Sequence, residues 1–152
     1  MSSSTEPECP LPDYGRPNVV SLAHGEGGRL MRELVARKIL PRFDNEHLGA
    51  LGDAALLPAL TGRPVFTTDS FVVSPLEFPG GDIGTLAVFG TVNDLVVSGA
   101  RPRWISLSLI IEEGFPIPRL ERILDSIAAA ARLAEVQVVT GDTKVVPRGA
   151  AD

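Results

Sequence analysis

A helix with almost no polar face restricts a fold severely, because nearly every side of it needs cover, and residues 82–98 read as such a helix. Asp82 follows the Pro79-Gly80-Gly81 turn and is placed to cap it, and Gly99 is placed to stop it. Between them Ile83, Leu86, Ala87, Val88, Phe89, Val92, Leu95, Val96 and Val97 leave little surface for water. Asp94 nevertheless sits in the run, on the side of Ile83, Ala87, Gly90 and Val97. An ionised carboxylate on such a face is costly unless a cation or a set of donors meets it. The pattern predicts that a metal ion does.

The elements around this helix are read from pattern and punctuation. Val65-Phe66-Thr67-Thr68 is a β-branched and aromatic run ending on Asp69, expected as a buried strand delivering a carboxylate. Asp53-Ala54-Ala55-Leu56-Leu57 is expected to pair with it as a hairpin across the Gly62-Arg63-Pro64 turn. Residues 104–111 alternate apolar and small polar side chains, as a half-buried strand does, and Glu112-Glu113-Gly114 closes them. Pro116 and Pro118 open an amphipathic helix with Leu120, Leu124, Ile127, Ala131 and Ala134 on one stripe. Val136 to Thr140 is a last strand running into Gly141-Asp142-Thr143-Lys144. Upstream, His24-Gly25-Glu26-Gly27-Gly28 leads into a helical run closed by Pro41. A glycine-rich loop entering a helix offers free backbone N–H groups to a phosphate, although alone it reads as an ordinary turn. It lacks the Gly-Lys-Ser/Thr ending of a P-loop.

Composition removes several classes of function. With 44% hydrophobic and 22% charged residues, 152 residues suffice for one globular core. A net charge of −5 without a basic run argues against nucleic acid as partner. One cysteine, Cys9, and two histidines cannot assemble the usual zinc ligand sets or an intrachain disulfide. No apolar run reaches membrane-spanning length and no signal-peptide pattern opens the chain, so no membrane partner is expected and the cytoplasm is the expected compartment. Residues 1–18, rich in Ser, Pro and Glu, are expected to form a flexible leader before a domain over 19–152.

Asp53, Asp69, Asp94 and Asp142 share a placement beside strand ends or in the apolar helix, with Thr67, Thr68, Asn93 and Thr143 next to them. Converging oxygen ligands of this kind suit magnesium, and a metal bridge makes an acidic site compatible with a triphosphate. Lys144 and the glycine loop would hold the remaining phosphate oxygens. Spacing alone leaves open the alternative of four unrelated turn or cap aspartates.

The strings HGEGGRLMREL, FPGGDIG, TVNDL, LSLIIEEGFP and GDTKVVPRG resemble the N-terminal domain of the HypE-type NiFe-hydrogenase maturation factors. That family groups with aminoimidazole ribonucleotide synthetase, selenophosphate synthetase and thiamine-monophosphate kinase. The resemblance covers nearly all of His24 to Asp152. It implies an ATP-binding domain that forms a homodimer through its sheet. It also implies magnesium and phosphate contacts at Asp53, Asp69, Asp94 and Asp142, a phosphate-side loop at His24, Gly25, Gly27 and Gly28, and an active-site Lys144. The implied reaction is ATP-dependent dehydration of a protein S-carboxamide to a thiocyanate, with HypF and the HypC–HypD complex as partners. Glu26 departs from the small residue usual in the loop, and the family's second domain and C-terminal acceptor cysteine are not in this sequence. The chain alone is therefore expected not to complete the reaction.

The expected architecture is α+β (an α/β sandwich), with a mixed sheet of about four strands covered on one face by the helices near 82–98 and 118–134. The alternatives are another ATP-dependent synthetase or kinase of the same superfamily, and a non-catalytic dimerisation and docking domain.

Overall fold

The computed structural model describes residues 18–151, so the leader, Cys9 included, lies outside it except for Asn18. The chain enters through Val19, bridged to Pro116, and turns at Leu22–His24. Helix α1 (Arg29–Leu34) continues through a wide turn at Val35–Ile39 into a tight one at Leu40–Arg42, with Pro41 inside it. Strands β1 (Glu77–Phe78) and β2 (Gly81–Asp82) form a small antiparallel hairpin, with Gly80 at φ 94 in its turn. Helix α2 (Ile83–Val97) follows, then β3 (Trp104–Glu112), α3 (Ile117–Leu133) and β4 (Gln137–Val146). Strands β3 and β4 pair in parallel, with α3 as the connection that parallel strands require. The fold is α+β, its four strands divided between two two-stranded ladders, one antiparallel and one parallel.

Local chemistry explains α2. The Asp82 side chain accepts from the Thr85 N–H at 2.8 Å, while Thr85 Oγ1 accepts from the Asp82 N–H at 2.9 Å. Both orphan donors of the helix start are thereby met. Gly99, at φ 74, donates to the Val96 carbonyl and ends the helix.

The core forms where α3 meets its neighbours. Leu120, Ile123, Leu124, Ile127, Ala128, Ala130 and Ala131 are all buried, a stripe wider than the expected one except at its end, where Ala134 caps the helix and is only half-buried. Burying each large member stabilises the fold by roughly 1.5–3 kcal/mol. A Cβ at Gly84 would lie 2.7 Å from the Ile123 carbonyl oxygen, so glycine is what lets α2 approach α3 this closely. Beside them, Arg42 Nε meets Asp125 at 2.6 Å and Lys38 Nζ meets Glu121 at 3.0 Å, joining the first helical run to α3.

One face of the β3–β4 pair turns to this core through Ile105, Leu107, Leu109, Ile111, Val138 and Val145. The register shifts so that Ile105 pairs with Val138 and Ser106 with Thr140, leaving Val139 as a bulge. The bulge lets consecutive valines 138 and 139 both be buried. It also sets the phase of the rest of β4.

Three expectations are corrected. Residues 53–57 and 65–69 belong to no ladder among the described residues, and Leu56 and Phe66 are 92% and 87% exposed. Their β-rich composition records a preference that needs a neighbouring strand edge, and none of the described residues supplies one. Strand β4 does not end at Thr140 but runs six residues further. Gly141 lies within the ladder at a close approach, since its Cβ would fall 2.2 Å from the Leu107 carbonyl oxygen. Finally, α2 is not covered all round: Leu86, Phe89, Val96 and Val97 are exposed. Only the side bearing Gly84, Val88 and Leu95 is buried.

Candidate functional site

The second face of the parallel pair is open. Alternation carries Ser106, Ser108 and Ile110 outward on β3, all exposed, and register sets them beside Thr140, Asp142 and Lys144 on β4. Alternation alone says only that the two serines face outward; their place beside Asp142 follows from the register. Lys144 Nζ lies 3.0 Å from Asp142 Oδ2 and 3.1 Å from Oδ1. The Thr143 N–H donates to Asp142 Oδ1 at 2.9 Å, while the Thr143 side chain is buried on the core face. The hydrogen bond from Lys144 holds the Asp142 carboxyl below the usual aspartate range; slight burial opposes this and the Thr143 N–H reinforces it. The result is an oriented ion pair on an open polar sheet face.

The glycine loop reaches the same strand. A Cβ on Gly25 would sit 2.7 Å from the Val145 backbone nitrogen, so the loop presses on β4 one residue beyond Lys144. Gly27, at φ 73, takes a conformation that side chains resist. His24 has a local role: its Nδ1 lies 3.0 Å from the Ser21 backbone nitrogen and 2.9 Å from Ser21 Oγ, closing the turn before the loop. Glu26, Gly27 and Gly28 are exposed.

Among the described residues none of the remaining expected side chains hydrogen-bonds or ion-pairs with Asp142 or Lys144, although Gly52 and Ala54, on either side of Asp53, line the same cleft as Asp142. Asp53 and Asp69 are exposed along the unladdered segment, as is Thr68, with Thr67 half-buried. Asn93 and Asp94 are exposed on the open side of α2, and the Asp94 carbonyl accepts from Ser98 Oγ at 2.8 Å. The expectation of a desolvated Asp94 is therefore corrected: helical phase fixes which side a residue takes, not whether anything covers it. Among the described residues no three His, Cys, Asp or Glu side chains gather to hold a metal ion. Asp53 and Asp69 ride on a segment that no ladder among the described residues ties to β4. Oxygen-only donors do suit magnesium, which commonly takes one or two carboxylates and completes its shell with phosphate and water. The residues fit that arrangement and not a cage built by protein alone.

A cleft of about 260 Å³ opens between the first helical run and the sheet, with Met31, Val35, Ile39, Leu109 and Asp142 among its lining. His47 stands beside it, edge-on to Trp104, with Nδ1 3.2 Å from the Leu56 carbonyl oxygen. No helix among the described residues is long and apolar enough to cross a membrane.

Comparison with known proteins adds the family. Residues 51–152 match the family of AIR synthase related proteins, N-terminal domain. The carbamoyl dehydratase HypE of Rhizobium leguminosarum bv. viciae is 55% identical over 133 residues, covering 88% of this chain and 38% of that protein. A crystal structure of hydrogenase maturation protein HypE in complex with ATP superposes with a TM-score of 0.84 at 55% identity, over 87% of this chain and 39% of that one. A chain in a crystal structure of a HypE–HypF complex matches at 49% identity and a TM-score of 0.55, over 82% of this chain and 39% of that one. The chain thus spans about two-fifths of the length of these relatives. The chain belongs to the AIR synthase related protein family, carrying its N-terminal domain, and within that family the HypE hydrogenase maturation proteins are what it resembles.

Proposed function

We propose that this chain provides the ATP-binding part of a HypE-type carbamoyl dehydratase, with magnesium, in the cytoplasmic maturation of hydrogenase cyanide ligands. The observation that carries the reading is the likeness to HypE in complex with ATP, 55% identical over most of this chain. Bound ATP would supply the phosphoryl group that turns an amide oxygen, a poor leaving group, into phosphate as the S-carboxamide becomes a thiocyanate. The work left to the protein is positioning and charge neutralisation.

In this reading Lys144 reaches a phosphate oxygen from the open sheet face, and Asp142 holds its ammonium in place at 3.0 Å until the ligand arrives. Asp142, Asp94, Asp69 and Asp53 are the proposed magnesium ligands, with Thr67, Thr68, Asn93 and Thr143 around the nucleotide. His24, Gly25, Gly27 and Gly28 form the proposed phosphate-side loop, which already abuts β4 at Val145. Asp53 and Asp69 lie on the 51–75 segment, which joins no ladder among the described residues and which a partner would draw towards Asp142 in this reading. A second copy is the proposed agent, which makes the active form a homodimer. HypF is the proposed protein partner, supported by the HypE–HypF likeness, and HypC–HypD follows only from the resemblance.

Calorimetric titration with a non-hydrolysable ATP analogue tests the reading. Binding with magnesium that is lost on chelation is the expected result; no heat at any analogue concentration would refute it. One observation favours a second reading, a non-catalytic docking domain: the apolar surface at Leu56, Phe66, Val72 and Val97 is wide open. Self-association without nucleotide binding would support that alternative.

A further inference from the structure

We propose that Asn45 and His47 form a positioning relay that ties the 52–56 stretch to strand β4, and so sets where Asp53 stands relative to Asp142. The inference rests on the magnesium and nucleotide reading above for what Asp53 does, but not for the existence of the relay.

The relay starts on β4. Asn45 Nδ2 donates to the Val138 carbonyl at 2.8 Å and to the Phe43 carbonyl at 2.7 Å. Its Oδ1 accepts from the His47 N–H at 3.0 Å and from the Leu48 N–H at 3.2 Å. Both ends of the side-chain amide are thus engaged, and the 45–48 turn is fixed to the strand. His47 projects from that turn with its side chain only 9% exposed. Its ring meets Trp104, the first residue of β3, edge-on with centroids 6.4 Å apart. Nδ1 lies 3.2 Å from the Leu56 carbonyl oxygen. A carbonyl only accepts, so Nδ1 carries the proton. Nε2 is 3.8 Å from Glu46 Oε1, too far for a hydrogen bond, which leaves Nδ1 as the nitrogen that matters.

The bond holds a segment that has little else to hold it. Among the described residues, 52–75 join no ladder, and His47 makes the one hydrogen bond tying them to the rest of the fold. Phe71, packed against Gly90, is a second anchor and an apolar one. The Leu56 side chain is 92% exposed, so its own burial does not hold the stretch. Gly52 and Ala54, the neighbours of Asp53, line the same cleft as His47 and Asp142. The relay therefore joins the two strips of backbone that carry Asp53 and Asp142. Magnesium demands near-octahedral geometry, so a carboxylate on an untied segment would serve it less well than one whose backbone is held.

The test compares the unaltered chain with two variants. His47→Phe keeps a ring against Trp104 and loses the donor; His47→Asn loses the ring and puts an amide N–H where Nδ1 stands. Without ligand, the Leu56 carbonyl carbon shift and backbone nitrogen relaxation over 53–57 read the relay by NMR. His47→Phe is expected to move that carbonyl and loosen 53–57, and His47→Asn to restore both. With a non-hydrolysable ATP analogue, the magnesium concentration for half-maximal binding should rise about tenfold in His47→Phe and return in His47→Asn. Affinity without magnesium should be equal in all three chains. A general loss of folding, followed by melting temperature, would not spare the magnesium-free affinity. Loosening of 53–57 in His47→Phe, with no magnesium-dependent binding even by the unaltered chain, would sink the nucleotide reading and keep the relay. Magnesium-dependent binding that is equal in all three chains would overturn the positioning of Asp53 and keep the nucleotide reading. An unmoved Leu56 carbonyl in His47→Phe would overturn the relay itself.

Discussion

At the scale of single residues, the Asp142–Lys144 pair makes the sharpest claim. Both side chains are more than half exposed, so solvent screening keeps the pair's contribution to stability small. Its electrostatic signature is still measurable. In the folded chain Asp142 titrates below its unfolded value, so the pair's small stabilisation is present above the unfolded value and fades as pH falls through the folded one. Replacing Lys144 with Met should move the Asp142 titration upward, towards the ordinary aspartate range, in a carboxyl-detected NMR experiment. An unmoved titration would contradict the geometry. Gly84 makes a second claim. Alanine there gains about 1 kcal/mol of helix propensity but drives a Cβ to 2.7 Å from the Ile123 carbonyl, a backbone atom that cannot swing aside. Gly84→Ala should therefore destabilise by about 1–3 kcal/mol, read as a lower denaturation midpoint. A rise in the midpoint would show the α2–α3 contact to be looser.

Among the elements, α3 is the one on which the rest is packed. Leu124 is fully buried in it, and Leu124→Ala should cost roughly 2–5 kcal/mol by urea titration. A loss under 1 kcal/mol would mean the core sits elsewhere. Elements whose signals are local were legible in the sequence: the Asp82 cap, the Gly99 stop, the α3 stripe and the alternation of β3. Long-range contacts were not. Gly141 shows its close approach only once Leu107 is known to lie across the ladder from it. The open side of α2 is invisible to periodicity, which records greasiness but not what covers it. The 65–69 run carries strand composition without a strand partner among the described residues. For the site, Asp142 and Lys144 were legible as candidates from their place beyond an apolar run. Their pairing with Ser108 and Ile110 depends on the bulge at Val139, which nothing local announces.

For the whole molecule, the unladdered segment and the bare flank of α2 expose more apolar side chain than an isolated small domain normally presents. Phe71 joins the two, occupying the space beside Gly90 where a Cβ would fall 2.6 Å from its ring. Sedimentation should show self-association that strengthens with concentration, and Phe66→Asp should shift it towards monomer. A chain that remains monomeric at high concentration would remove the proposed dimer. The central claim is that nucleotide phosphate meets this fold at the open β3–β4 face. The most direct test is the affinity of a magnesium-bound, non-hydrolysable ATP analogue for the unaltered chain and for Lys144→Ala, measured side by side. The account predicts measurable binding that falls at least about tenfold in the variant, at an unchanged melting temperature. Equal affinity in the two chains would contradict it.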